Sequence, residues 1–315
     1  LTGKNSVERR GGALPPKTSS QPIPPTSISN GFPFSGFRPK VCPRQKEVRE
    51  RRGNRARWKR LFTNTHTAGC PPYANRKGAN MKGGKLYYDM PIGILCLESL
   101  FPKPRGHMRN PLTYGFPTVT RVIRGVDIPR LLFNPTPDLL EPFIQAAKEL
   151  EADGVQAITG SCGFMARFQS QIAAELHVPV FLSSLLQLPL VRLIHGEKAE
   201  IGVLTASSQA LTPAHFANCA TPMESVHIRG MEGNPEFWET IIEGKRHDFD
   251  MERLEAEIVG SAAAFAREKA LDALVLECTD LSAFSAPIQR AINLPVYDIN
   301  SLVEYAYYAV CRKDY

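Results

Sequence analysis

The chain has 315 residues, is 43% hydrophobic and carries a formal net charge of +7. That is long enough for two domains and apolar enough for a true core. The charge is one-sided. Residues 1–80 hold 17 Lys/Arg against 3 Asp/Glu, and residues 81–315 hold 21 against 28. The folded part is therefore mildly acidic, which excludes nucleic acid as its expected partner.

Residues 1–88 read as a disordered, basic segment. The first 80 contain 10 prolines and an Arg-rich run from Arg49 to Arg60, with no sustained apolar period. Such a stretch buries too little surface to offset its ordering entropy. The chain begins with Leu1, and Met81 and Met90 lie just before the first strand. Three readings compete: translated sequence upstream of the native start, a disordered basic tail, or an organellar transit peptide. No apolar run reaches bilayer length and no leader core follows the N-terminus, so a cytoplasmic protein away from membranes is expected.

Pro91–Leu97 reads as a buried strand, followed by a Gly/Pro/Arg loop and a second strand near Val119–Ile123. Thr136-Pro137-Asp138 has the features of a helix start. Leu139, Leu140, Phe143, Ile144, Ala147 and Leu150 keep helical spacing, and Gly154 supplies the stop. Strand Val155–Thr159 leads to Cys162. Phe164, Phe168 and Ile172 mark a helix before strand Val178–Leu182. The second half opens with a strand at Ile201, with helices expected over Glu236–Ile242 and Met251–Lys269. Strand Ala273–Glu277, helix Phe284–Ile292, strand Pro295–Tyr297 and a helix from Leu302 finish the chain.

The two halves repeat each other. Ala157-Ile158-Thr159-Gly160-Ser161-Cys162 corresponds to Ala273-Leu274-Val275-Leu276-Glu277-Cys278, and each cysteine lies 17 residues before its proline, Pro179 or Pro295. Phe168 matches Phe284, Ile172 matches Ile288, and Ile92-Gly93-Ile94-Leu95 echoes Ile201-Gly202-Val203-Leu204. Alternating strands and helices predict an α/β fold of two pseudo-symmetric, Rossmann-like parallel-sheet domains with a site in the cleft between them. The halves are expected at 89–198, completed by 295–315, and at 199–294.

The seven cysteines are scattered and form no CxxC pair, so free thiols are the default. A single Cys162 or Cys278 reads first as a small buried hydrophobe. Their matching positions at strand ends point instead to paired acid/base groups, each before a helix whose N–H groups favour thiolate. Ser161, Thr205, Ser207, Ser208 and Thr279 are the hydroxyls placed to stabilise a developing enediolate, although each is also a natural cap or turn residue. Glu98 is a candidate to orient or activate a thiol, and equally reads as a carboxylate that stabilises a turn. The loop from Glu98 to Asn110, with Arg105, His107 and Arg109, reads as solvated, with a carboxylate-binding or lid role as the alternative. His107, His195, His215 and His247 show no ligand spacing and no GxGxxG follows a strand, so neither metal nor cofactor is expected.

Leu276-Glu277-Cys278-Thr279-Asp280 resembles the second motif of the aspartate/glutamate/hydantoin racemase superfamily, and Ile158-Thr159-Gly160-Ser161-Cys162-Gly163-Phe164 stands in the place of its first. The resemblance covers about Pro91 to Cys311. It implies Cys162 and Cys278 as catalytic acid/bases and Thr279 as a carboxylate binder; Ser161, Gly163, Thr205, Ser207 and Glu98 are the further residues expected around the substrate. Gly163-Phe164 stands where amino-acid racemases of the family carry Asn-Thr, and Asp280 where glutamate-specific members carry His. The expected activity is a cofactor-independent racemase or epimerase acting on a small carboxylate, with a homo-oligomer allowed. The alternatives are a cis–trans isomerase or decarboxylase of the same superfamily, or a two-lobed binding protein without chemistry.

Overall fold

The structure, a computed structural model, describes residues 83–312. The readings of the N-terminal segment lie outside the described residues up to 82. Its last part is tied to the fold, since the Tyr87 N–H donates to Asp153 O at 2.8 Å.

The first half runs β1 (Ile92–Glu98), β2 (Thr118–Asp127), α1 (Ile128–Phe133), α2 (Leu140–Asp153), β3 (Ala157–Gly160), α3 (Gln169–Ala174), β4 (Val180–Phe181) and α4 (Leu188–His195). The second half follows as β5 (Ile201–Thr205), α5 (Pro213–Ala217), β6 (His227–Gly230), α6 (Pro235–Phe237), α7 (Met251–Lys269), β7 (Ala273–Leu276), α8 (Ser285–Ile292), β8 (Val296–Tyr297) and α9 (Ile299–Val310). Each half builds a four-stranded sheet, in the orders β2-β1-β3-β4 and β6-β5-β7-β8, and all pairings are parallel. The α/β reading with two repeated sheets holds.

Strands β1, β3, β5 and β7 are buried along nearly their whole length, as central strands covered on both faces must be. In α2, Phe143, Ile144, Ala147 and Leu150 are buried at helical spacing, and Gly154 closes the helix in a left-handed conformation. Asp250 caps α7 by accepting from the N–H groups of Glu252 and Arg253, and Leu254, Ile258 and Phe265 form its buried face.

The expected boundary at 294 falls one strand short. β8 pairs with β7, so the second sheet continues to Tyr297. Only α9 returns to the first half, where Ile299, Val303, Ala306 and Tyr307 join Ile92, Ile94 and Ala157 in a core cluster. Between Phe237 and α7 the expected helix is α6 continued as a π-helical turn over Trp238–Ile242. Among the described residues no helix is long and apolar enough to cross a membrane.

Candidate active site

Each repeated cysteine follows a central strand and caps a 3₁₀ turn. Cys162 follows β3 and caps Gly163–Phe168, and Cys278 follows β7 and caps Thr279–Phe284. Contacts between the halves join the two turns. Thr279 Oγ1 donates to Ser161 O at 2.6 Å, and Ser184 Oγ donates to Leu276 O at 2.6 Å. Gly163 lies flat against Glu277, and a Cβ there would overlap both the backbone oxygen and Oε1 of that residue. Glycine at 163 is therefore demanded by close approach, and no Asn fits in its place.

Cys162 and Cys278 line the same pocket. Ser161, Arg109, His107 and Asp280 add polar groups to its wall. Ile128 and Leu132 of α1 and Ile242 of the π-helical turn form an apolar side. Cys96, Cys162, Cys219 and Cys278 are free.

The loop between β1 and β2 is folded inward, against the expectation that it is solvated. Gly106 has φ +97°, and a Cβ on it would stand 2.9 Å from Ala283 Cα in the second half. Its carbonyl accepts from Asn300 Nδ2 at 2.7 Å and from Ser282 Oγ at 3.2 Å. So clamped, the loop buries His107 to 2% exposure. The Arg109 backbone N–H donates to His107 Nδ1 at 3.0 Å, which leaves the ring hydrogen on Nε2, 2.8 Å from Asp280 Oδ1. The Arg109 guanidinium donates to Ser99 Oγ at 2.7 Å and to Leu97 O at 3.2 Å.

The charges around the two thiols differ. Burial pushes the Asp280 carboxyl up, but the hydrogen bond and field of His107 and the Lys103 ammonium outweigh it and hold the group below its ordinary value. The Cys278 thiol donates to Asp280 Oδ2 at 3.6 Å. Burial raises that thiol first, then the charges of Asp280 and Glu277 raise it further. Cys162 is also raised by burial and next by Glu277, while the Phe164 N–H pulls it down. The expected helix-start lowering is thus present at both thiols, from the N–H groups of Phe164 and Asp280, and burial overrides it. Glu277 is fully buried and pushed up to about 8 by that burial, against the opposing bond from Thr205 and with a further push from Asp280.

Of the residues singled out from sequence, Cys162, Cys278, Ser161 and Gly163 meet at the pocket. Thr279, Thr205, Ser207 and Glu98 do not line it. Thr279 holds the halves together, and Thr205 Oγ1 donates to Glu277 Oε2 at 2.7 Å. Ser207 Oγ donates to Glu232 Oε1 at 3.2 Å. Glu98 sits at the bulge between β1 and β2, where it accepts from the Gly125 N–H at 2.9 Å and from Arg124 at 3.2 Å. These hydroxyls and this carboxylate are consumed by partners in their own halves or at the seam. Asp280 is not assigned to the site from sequence, and His107 and Arg109 enter only through the alternative carboxylate-binding or lid role of their loop. Their signal was position: polar residues just beyond the carboxyl ends of β1 and β7. Among the described residues no His/Cys/Asp/Glu group converges to hold a metal ion.

No family model matches the chain. It is 32% identical over 218 residues to dimethylsulfoniopropionate lyase 7 of Emiliania huxleyi (strain CCMP1516), covering 66% of this chain and 63% of that protein. Dimethylsulfoniopropionate lyase 3 of the same strain is 31% identical over 232 residues, covering 70% and 60%. The lyase of Durusdinium sp. clade D is 27% identical over 214 residues, covering 66% and 70%. The chain thus spans less than two thirds of the length of Emiliania lyases 7 and 3.

Among solved structures, an aspartate racemase homologue of Pyrococcus horikoshii shares 16% identity at a TM-score of 0.43, covering 69% of this chain and 98% of that one. Unliganded arylmalonate decarboxylase shares 12% identity at 0.43, covering 72% and 94%. The names of the sequence relatives overturn the expected racemase or epimerase activity and its isomerase class, because those relatives are lyases.

Proposed function

We propose that the chain is an enzyme, a lyase that eliminates dimethyl sulfide from dimethylsulfoniopropionate and leaves acrylate. One observation carries this reading beyond the names of the relatives. Arg109 and a carboxylate held ionised, Asp280, line the same pocket as the two thiols. The substrate is a zwitterion with a carboxylate at one end and a sulfonium at the other, so it needs both charges.

In this reading Arg109 takes the substrate carboxylate and offsets the charge that grows on it as the α hydrogen leaves. Asp280 faces the sulfonium, and the wall of Ile128, Leu132 and Ile242 receives its methyl groups. Cys162, as thiolate, removes the α hydrogen. The electrons of that C–H bond form the Cα=Cβ double bond. The Cβ–S bond breaks with its pair leaving on sulfur, and the proton stays on Cys162 until solvent takes it. Dimethyl sulfide departs neutral and requires no proton, so one base suffices.

Two features favour Cys162 over Cys278 as that base. Cys162 is the less buried of the two. Cys278 already gives its hydrogen to Asp280, whose charge stands beside it. Without a bound cation both thiols are held protonated. A sulfonium against Asp280 cancels part of that field, so the substrate helps to ionise the group that attacks it. Headspace chromatography of the purified chain with dimethylsulfoniopropionate tests the proposal. Release of dimethyl sulfide with acrylate in equal amount is expected. None from folded protein would overturn it.

A further inference from the structure

Glu277 is the fully buried acid that this mechanism leaves unused. It follows β7, one residue before Cys278, yet its side chain turns toward the other turn. Oε2 accepts from Thr205 Oγ1 at 2.7 Å, while Oε1 receives no hydrogen bond from the protein and rests against Gly163, next to Cys162. A buried carboxylate oxygen without a protein donor favours the protonated acid. We propose that Glu277 is a positioning residue acting through Gly163: protonated, it leaves Cys162 able to ionise, and ionised, it holds Cys162 as a thiol.

The surroundings agree with that role. Glu277 lies about where its protonation changes near neutral pH, being pushed up to about 8. Its charge is the next cause after burial raising Cys162, and it also raises Cys278 and Cys219. The other charged group that it feels is Asp280, which disfavours its ionisation. Glycine at 163 is what permits the contact, since any side chain there would push the carboxyl away. The substitution of Gly-Phe for a polar pair after the first thiol thus gains a physical reason. The space is taken by an acid from the opposite half.

Alkylation by iodoacetamide, followed peptide by peptide so that Cys162 is read apart from the other thiols, tests the idea without any substrate. Below about pH 8 the Glu277→Gln variant and the native chain are expected to react alike at Cys162, within about twofold. Above it the native thiol lags, and the variant becomes faster by about tenfold, which corresponds to about 1.4 kcal/mol. A constant ratio at every pH would mean that Glu277 is only a packing group and would overturn the proposal. Thr205→Val supplies a second variant should the first fail to fold. It removes the bond that favours the ionised carboxyl, so the lag must move to higher pH, and a move to lower pH overturns the proposal. The inference rests on the lyase reading only for its consequence in turnover. Dimethyl sulfide release without the alkylation effect would sink this proposal alone, and the effect without release would sink the lyase reading alone.

Discussion

After Cys162 the chain continues Gly163-Phe164, and after Cys278 it continues Thr279-Asp280. Both cysteines stand at the same place in two copies of one fold, each capping a 3₁₀ turn of six residues. Yet one turn presses a glycine on a buried acid, and the other presents a carboxylate bonded to a histidine from the opposite half. Duplication placed two thiols around a single pocket, and the residues one and two positions later made them unequal. That inequality suits an elimination, which needs one base and a seat for a cation. It does not suit a reaction that treats two faces of a carbon alike.

The comparison breaks most sharply under single thiol replacements. Cys162→Ser should lower the rate of dimethyl sulfide release by about 10²- to 10⁴-fold, the usual share of a general base, whereas Cys278→Ser should cost about tenfold or less. Equal losses would abolish the distinction between the turns. Next in size is Asp280→Asn. It should raise KM by about tenfold to hundredfold, corresponding to the loss of one charged contact of roughly 1.5–3 kcal/mol, with a smaller change in kcat. In the same variant the Cys278 thiol should alkylate faster, because the charge that raises it is gone. A KM that does not move would remove Asp280 from cation recognition.

The pair His107–Asp280 can be separated from the chemistry through stability. The folded carboxyl lies below its ordinary value, so its bond contributes above the unfolded pKa and is lost as pH falls through the folded one. His107→Phe should therefore cost about 1.5–3 kcal/mol in urea denaturation at pH 7, and distinctly less in acid once the pH has fallen through the lowered folded pKa of Asp280. A loss that is the same at both pH values would make His107 a packing residue only.

The repeat made the fold legible. Apolar strands at equal offsets from each cysteine gave the sheets, and α7 spans the very residues its spacing marked, Met251–Lys269. Strand β6 went unseen, because His227–Gly230 is an edge strand of half-buried residues with no apolar run. Helix α4 went unseen too, with Leu190, Leu193 and Ile194 exposed where burial would have kept a clean stripe. In the site, residues fixed by chain position were found and residues fixed by folding were not. Cys162 and Cys278 follow from the strand ends, but His107 reaches Asp280 across 173 positions of sequence. No local pattern encodes that contact. The hydroxyls failed for the reverse reason, since their local preference says nothing of the buried acids and carbonyls that claim them.

Thr279 gives the mildest test and the one that separates resemblance from geometry. Motif similarity makes it a carboxylate binder. The structure buries it completely, with its hydroxyl donated to Ser161 O at 2.6 Å and its turn pinned by Ser282 Oγ on Thr279 O at 2.6 Å. Valine keeps the shape and removes the donor, so Thr279→Val should cost about 0.5–1.5 kcal/mol of stability, as one neutral hydrogen bond does. KM should stay within about twofold of the native value, because no contact with substrate is lost; a change of that size is worth less than one such bond. Should KM instead rise tenfold with stability untouched, the hydroxyl must swing into the pocket when substrate binds. The two turns would then share a carboxylate site, and Arg109 would no longer stand as the sole group assigned to it.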